Sequence, residues 1–91
     1  MQEMILTRIW IQTSDIEPDI QIRNKIAIHP SIVNFYEEHL GGPLEGVEEP
    51  MTALYLVTQE IIVVLASFNE IKKQMSSFYD QQGKSGLFNN N

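Results

Sequence analysis

The first third of the chain shows the two-residue periodicity of β-strands. In the segment 4–13, β-branched residues recur at every second position, at Ile5, Thr7, Ile9 and Ile11. In the segment 19–28, a second set of isoleucines again shares one parity, and it comprises Ile20, Ile22, Ile26 and Ile28. Such sets share one face of a strand but spread around a helix. Residues 13–18 have a turn-forming composition. The pattern predicts a β-hairpin, or two short strands, at about 4–13 and 19–28.

The next segment has the spacing of a short helix. Pro30 suits a first helical turn, and the apolar residues Val33, Tyr36 and Leu40 follow at three- and four-residue intervals. The two glycines at 41–42 are typical of a helix C-terminus. We therefore predict a helix at about 30–40, followed by an acidic connector.

The longest apolar pattern lies between residues 51 and 82, where neither glycine nor proline occurs. Its apolar residues alternate between three- and four-residue spacing, as the a and d positions of a heptad repeat do. This seam comprises Leu54, Val57, Ile61, Val64, Phe68, Ile71, Met75 and Phe78. It predicts one long helix at about 50–82 and a loose tail at 83–91. The predicted fold class is α+β, in a single domain over 1–91.

Such a helix exceeds the size of its own domain. About 30 residues form a rod of roughly 45 Å, whereas a compact domain of this length is about 31 Å across. Part of the seam then needs cover from a second copy, which predicts a coiled coil and a homodimer or higher oligomer. The alternative is that the helix kinks and folds back onto the strands.

The charge balance narrows the range of partners. Twelve acidic and six basic residues give a net charge of −6, and the basic residues are scattered. Nucleic-acid binding needs clustered cations, so we expect none. An acidic surface favours a basic protein partner. The most apolar stretch, 51–68, is interrupted by Gln59 and Glu60, so no membrane-spanning helix is expected.

The residue inventory gives little support for catalysis. The chain has no cysteine and only two histidines, and it lacks a glycine-rich nucleotide fingerprint and metal-ligand spacings. We therefore predict no enzyme activity, no cofactor and no metal. The lack of cysteine favours a reducing compartment, so a cytoplasmic location is expected.

Five residues are candidates for contacts with a partner protein. Arg8 and Trp10 lie on the less apolar parity of the first strand and belong to residue types enriched at binding hot spots. Packing against the long helix is an equally open interpretation. Glu37 and Glu38 form an acidic pair on the predicted short helix. Glu60 interrupts an apolar run, so it is either exposed beside the seam or a buried polar contact.

The stretch from Phe78 to Gly86 resembles the C-terminal end of the small acidic immunity proteins of nuclease colicins, which inhibit a basic toxin domain. The resemblance covers about ten residues. The acidic binding motif of those proteins is absent, and their short four-helix fold differs from the strands predicted here. We therefore do not assign the chain to that family.

The sequence thus predicts a small acidic, non-enzymatic interaction module. It self-associates through its long helix and binds, blocks or recruits another protein as an inhibitor or adaptor. The alternative is a small-ligand-binding or sequestering oligomer with a pocket at the subunit interface.

Overall fold

The structure, a computed structural model, describes residues 3–40 and 47–82. It is a mainly-β domain with one helix near its C-terminus. The strands are β1 (Met4–Gln12), β2 (Ile20–Ile28), β3 (Val33–Glu38), β4 (Thr52–Leu56) and β5 (Ile61–Val64), and the helix is α1 (Phe68–Gln82). A short 3₁₀ turn, Pro30–Ile32, precedes β3.

The five strands form one antiparallel sheet in the order β2-β1-β5-β4-β3. β1 and β2 pair over nine residues each, from Met4 opposite Ile28 to Gln12 opposite Ile20. β5 pairs with β1 only at Arg8 and Ile9. The end of the β1–β2 hairpin therefore continues past the last residue pair of β5.

The helix α1 packs on one face of this sheet and closes the main core. Ile71 and Met75 of α1 are buried in one cluster with Leu54 and Val64 of the central strands. Ser67 begins the helix, because its Oγ accepts a hydrogen bond of 3.1 Å from the backbone N–H of Glu70. The cap fixes the direction in which the chain leaves β5.

The predicted long helix is wrong, because residues 52–56 and 61–64 are strands and only Phe68–Gln82 is α-helical. β4 and β5 lie in the interior of the sheet and are apolar on both faces, so their sequences lack alternation. A continuous apolar run also fits a three–four spacing, and periodicity alone does not separate the two. The turn between the strands contains no glycine, and Gln59 adopts the positive φ of 76°.

The predicted seam is consequently divided among several elements. Leu54 and Val64 lie in the core side of the sheet, and Ile71, Met75 and Phe78 lie on the buried face of α1. Phe68 is half-buried, and its ring lies 5.3 Å from that of Tyr36. Val57 and Ile61 are exposed at 58% and 57%. The coiled-coil prediction is therefore wrong. The long helix through which two copies were expected to associate is replaced by two strands and a shorter helix.

The predicted helix at 30–40 is also wrong, since it is a 3₁₀ turn followed by strand β3. β3 pairs with β4, but the register shifts between Val33 and Phe35. Such a bulge breaks the two-residue alternation in the sequence and leaves a spacing typical of a helix. The glycines at 41–42 and the predicted tail at 83–91 lie outside the described residues.

The two N-terminal strands lie within one residue of the ranges that the isoleucine parity predicts. On β2, that parity faces the core, where Ile28 is buried. Among the described residues, no helix has the length and apolar character needed to cross a membrane.

Candidate interaction surface

The face of the sheet opposite α1, called here the open face, carries many apolar side chains. Leu54 and Ile62 are buried beneath α1. Because successive side chains in a strand point to opposite faces, Tyr55, Ile61 and Val63 lie on the open face. An antiparallel sheet with one solvated face normally has polar residues there. β4 and β5 depart from that rule.

A small apolar cluster covers part of the open face. Ile9 and Met51 are buried in it, and the half-buried residues packed around them are Ile11, Val47, Val63 and Leu65. The segment that leads into β4 thus covers the sheet near the middle of β1. The rest of the open face has no such cover within the described residues.

The uncovered part contains a row of three side chains, Phe35, Tyr55 and Ile61, called here the apolar row. The register places Phe35 opposite Tyr55 and Tyr55 opposite Ile61, so the row crosses three adjacent strands. The two aromatic rings are stacked, with centroids 4.1 Å apart and planes 8° apart. Phe35 is 50% exposed and Ile61 57%. Apolar surface in this arrangement is typical of an interaction site.

One carboxylate borders the apolar row on the open face. Glu37, two residues from Phe35, accepts a hydrogen bond of 2.5 Å from the Tyr55 hydroxyl. This bond is the main reason that the pKa of Tyr55 is raised above its ordinary value of 10.0, and desolvation and the charge of Glu37 add to it. Glu60 precedes Ile61 and accepts a backbone hydrogen bond from Leu56, so it has the parity of the helix side of the sheet; it is exposed and accepts a hydrogen bond of 3.2 Å from Thr58. Glu37 therefore gives the row an acidic border on one side.

A cleft of about 280 Å³ adjoins the row where β1 and β5 separate. The strands pair at Ile9 and Val63 and diverge beyond that pair. Ile11 and Ile61 line the cleft. The complete lining is Arg8, Ile9, Trp10, Ile11, His39, Ile61, Ile62 and Val63. Its volume lies just below the range of about 300–1,000 Å³ that small-molecule pockets occupy.

Arg8 and Trp10 have the parity of Leu6 on β1, which places them on the helix side of the sheet. The guanidinium carbon of Arg8 lies 5.6 Å from the centroid of the Trp10 ring, within cation–π distance. The Trp10 Nε1–H donates a hydrogen bond of 3.1 Å to Asn24 Oδ1. The two predicted contact residues therefore contact each other.

Two buried nitrogen atoms lack a hydrogen-bond partner among residues 3–40 and 47–80. They are Arg8 Nε and His39 Nε2, and both residues line the cleft. The stacking of Arg8 on Trp10 accounts for the burial of its Nε. A buried donor without an acceptor is destabilising by about 1–3 kcal/mol.

Both edge strands carry features that discourage edge-to-edge pairing. On β2, Arg23 forms an ion pair of 2.7 Å with Glu49, and Lys25 is exposed. On β3, the bulge is followed by the exposed Glu37 and Glu38. Edge charges and bulges of this kind prevent strand addition. The open face is therefore the better interaction surface than either edge.

Glu37 lies on the open face beside the apolar row, whereas Arg8, Trp10 and Glu60 have the parity of the helix side of the sheet. Glu38 has the opposite parity to Glu37 and lies at the end of an edge strand. Phe35 and Tyr55 were not among the predicted contact residues. The apolar run of β4 and β5 was a signal for Tyr55, since it implies strands with two apolar faces, whereas the bulge in β3 hid the parity of Phe35.

A second cavity, of about 410 Å³, lies between α1 and the beginning of β1. Its lining includes Glu3, Glu70 and Lys73, together with the apolar Met4 and Phe78. Among the residues that the structure describes, no three histidine or acidic side chains are close enough to hold a metal ion.

Comparisons with known proteins supply no family. No protein-family model matches the chain, and neither the curated proteins nor the solved structures contain a significant match. The function is therefore inferred from the geometry of the open face and the two cavities.

Proposed function

We propose that this chain is a small non-enzymatic interaction module that binds another, basic protein through its open face, as an inhibitor or adaptor. The observation that carries the proposal is the apolar row, which lies on the open face across β3, β4 and β5, of which β4 and β5 are apolar on both faces. A cytoplasmic location, inferred from the lack of cysteine, is part of the same proposal.

Charge favours a basic partner over a second copy of the chain. Each copy has a net charge of −6, and Glu37 borders the apolar row. A two-fold dimer built on this face would bring like-charged copies and acidic borders together. A basic surface would instead approach under long-range attraction and neutralise Glu37.

The test is affinity purification from host cells with three forms of the full chain. The forms are the wild type, the double variant Phe35→Ser with Ile61→Ser, and the control Ile5→Ser. Ile5 is also exposed on the open face, at 64%, but lies outside the row. We expect one stoichiometric basic protein to be retained by the wild type and the control and lost with the double variant.

A protein retained equally by all three forms would contradict the proposal, as would the lack of any stoichiometric protein. Light scattering of the purified chain tests the competing occupant. A mass of twice 10.5 kDa that falls to 10.5 kDa in the double variant would identify the open face as a homodimer interface.

Small-ligand binding is the second candidate function, and the cavity of about 410 Å³ favours it. Its volume lies within the range of ligand pockets, and it combines Lys73 with apolar side chains. Unlike the interface pocket that the sequence predicts, it lies within one copy. Mass spectrometry of small molecules extracted from the wild type and from Lys73→Met is the test, and a compound present only in the wild-type extract would support this function.

A further inference from the structure

We infer that the partner segment on the open face is an amphipathic helix with a stripe of large apolar side chains and flanking lysine or arginine residues. One apolar side chain of that stripe enters the cleft between β1 and β5. This inference rests on the proposed function and specifies the chemistry of the partner.

The backbone of the sheet favours a helix over an extended segment. The row crosses β3, β4 and β5, and β4 and β5 have neighbours on both sides. The backbone groups of β4 and of the paired part of β5 are bonded to those neighbours, and β5 is unpaired with β1 only beside the cleft, so the rest of the open face offers side-chain contacts only. An extended segment would bury N–H and C=O groups without partners there. A helix satisfies these groups internally.

The dimensions of the surface also fit a helix. Adjacent strands are about 4.8 Å apart, so the row from Phe35 to Ile61 is about 10 Å long, and with the cleft and Ile11 it reaches about 15 Å. An apolar stripe at positions i, i+4, i+7 and i+11 covers about 16 Å. The cluster of Ile9 and Met51 limits the open strip on one side. A second sheet would need a wider flat surface than this strip provides.

The cleft and the carboxylate of Glu37 determine which side chains the partner helix needs at the interface. A volume of about 280 Å³ accommodates one large apolar side chain, and anchors of this kind commonly supply much of the affinity of an interface. Glu37 borders the row, so a basic residue at that border of the stripe would neutralise it, and the net charge of −6 attracts a basic helix. An acidic helix would meet like charge there.

The probe is an acetylated and amidated peptide of about 14 leucine and lysine residues, with leucines at three- and four-residue spacing. One matched peptide replaces every lysine with glutamate, and another alternates leucine and lysine, which favours a strand. Calorimetry measures the affinity for the full chain, and backbone amide chemical shifts locate the contact. We expect only the helical basic peptide to bind, with shifts at Phe35, Tyr55, Ile61 and Ile11.

Variants of the chain separate specific docking from general attraction to an acidic protein. Ile61→Ser should weaken binding by at least about tenfold, because one buried isoleucine is lost from the interface. Ile5→Ser should change affinity by less than about twofold, since Ile5 lies about 20 Å along β1 from Ile11. Glu37→Gln should weaken binding, whereas Glu70→Gln, on α1, should not.

Equal effects of Ile61→Ser and Ile5→Ser would overturn the inference, as would equal affinity for the glutamate or alternating peptide. If a cellular partner depends on the apolar row but the helical basic peptide does not bind, the helix is wrong and the proposed function stands. If neither binds through the row, both fail.

Discussion

Two residues of the predicted seam should respond very differently to truncation. Ile71 is fully buried between α1 and the sheet, whereas Val57 is 58% exposed in the turn after β4. A coiled-coil seam would make both positions buried and comparably important. The structure predicts that Ile71→Ala is strongly destabilising and that Val57→Ala is nearly neutral.

The magnitude follows from the groups removed. Ile71→Ala deletes three methylene-sized groups, each worth about 0.8 kcal/mol in transfer free energy, or about 2.4 kcal/mol together. The cavity left between helix and sheet adds about 1 kcal/mol, and the better helix propensity of alanine returns a few tenths. We expect a loss of about 3 kcal/mol in the free energy of unfolding. Val57→Ala should remain within about 0.5 kcal/mol of the wild type.

Urea unfolding followed by the fluorescence of Trp10, the single tryptophan, measures both variants. A domain of this length has a free energy of unfolding of roughly 9 kcal/mol, so Ile71→Ala should still fold. Its melting temperature should fall by about 12–24 °C. The packing of α1 described above would be refuted by a loss below about 1 kcal/mol in Ile71→Ala, or by an equal loss in Val57→Ala.

Four further variants probe three local features. Gln59→Gly should raise the free energy of unfolding by about 1 kcal/mol in urea titrations, because glycine accepts the positive φ without a Cβ clash; a loss of stability would contradict the turn geometry. Ser67→Ala should lower it by about 1 kcal/mol by removing the acceptor for the Glu70 N–H, and Ser67→Asp, which keeps an acceptor, should retain stability. Glu37→Gln should lower the pKa of Tyr55 in an ultraviolet titration. In the wild type, the raised pKa stabilises the fold below pH 10, and this contribution is lost as the pH rises through the folded-state value. An unchanged titration in Glu37→Gln would contradict the hydrogen bond.

The sequence alone determined the β1–β2 hairpin. Its isoleucines hold one parity over nine residues, and the turn residues between the strands are typical of a loop. These are local properties, because a hairpin pairs segments that are adjacent in the chain. Net charge and the exposure of Glu37 were also readable, since acidic residues seldom lie buried without partners, whereas the exposure of Glu60 was left open by the sequence and decided by the structure.

The sequence also contains a signal for the start of α1, but the prediction did not use it and began the helix about 18 residues too early. Ser67 and Glu70 have the spacing of a capping box, which marks a helix N-terminus. The long apolar run before Ser67 outweighed that signal.

Only the tertiary structure decided the state of residues 33–38, 52–56 and 61–64. Each of these segments is a strand because of partners distant in sequence: β3 and β4 pair across the connector, and β5 pairs with β1. The bulge in β3 hid its alternation of apolar and polar residues. β4 and β5 show no alternation because both of their faces carry apolar residues. Periodicity indicates how many faces of a segment are apolar. The hydrogen-bond partners of its backbone N–H and C=O groups depend on the assembled sheet. The apolar row has the same origin, because Phe35, Tyr55 and Ile61 become neighbours only when three strands align in register.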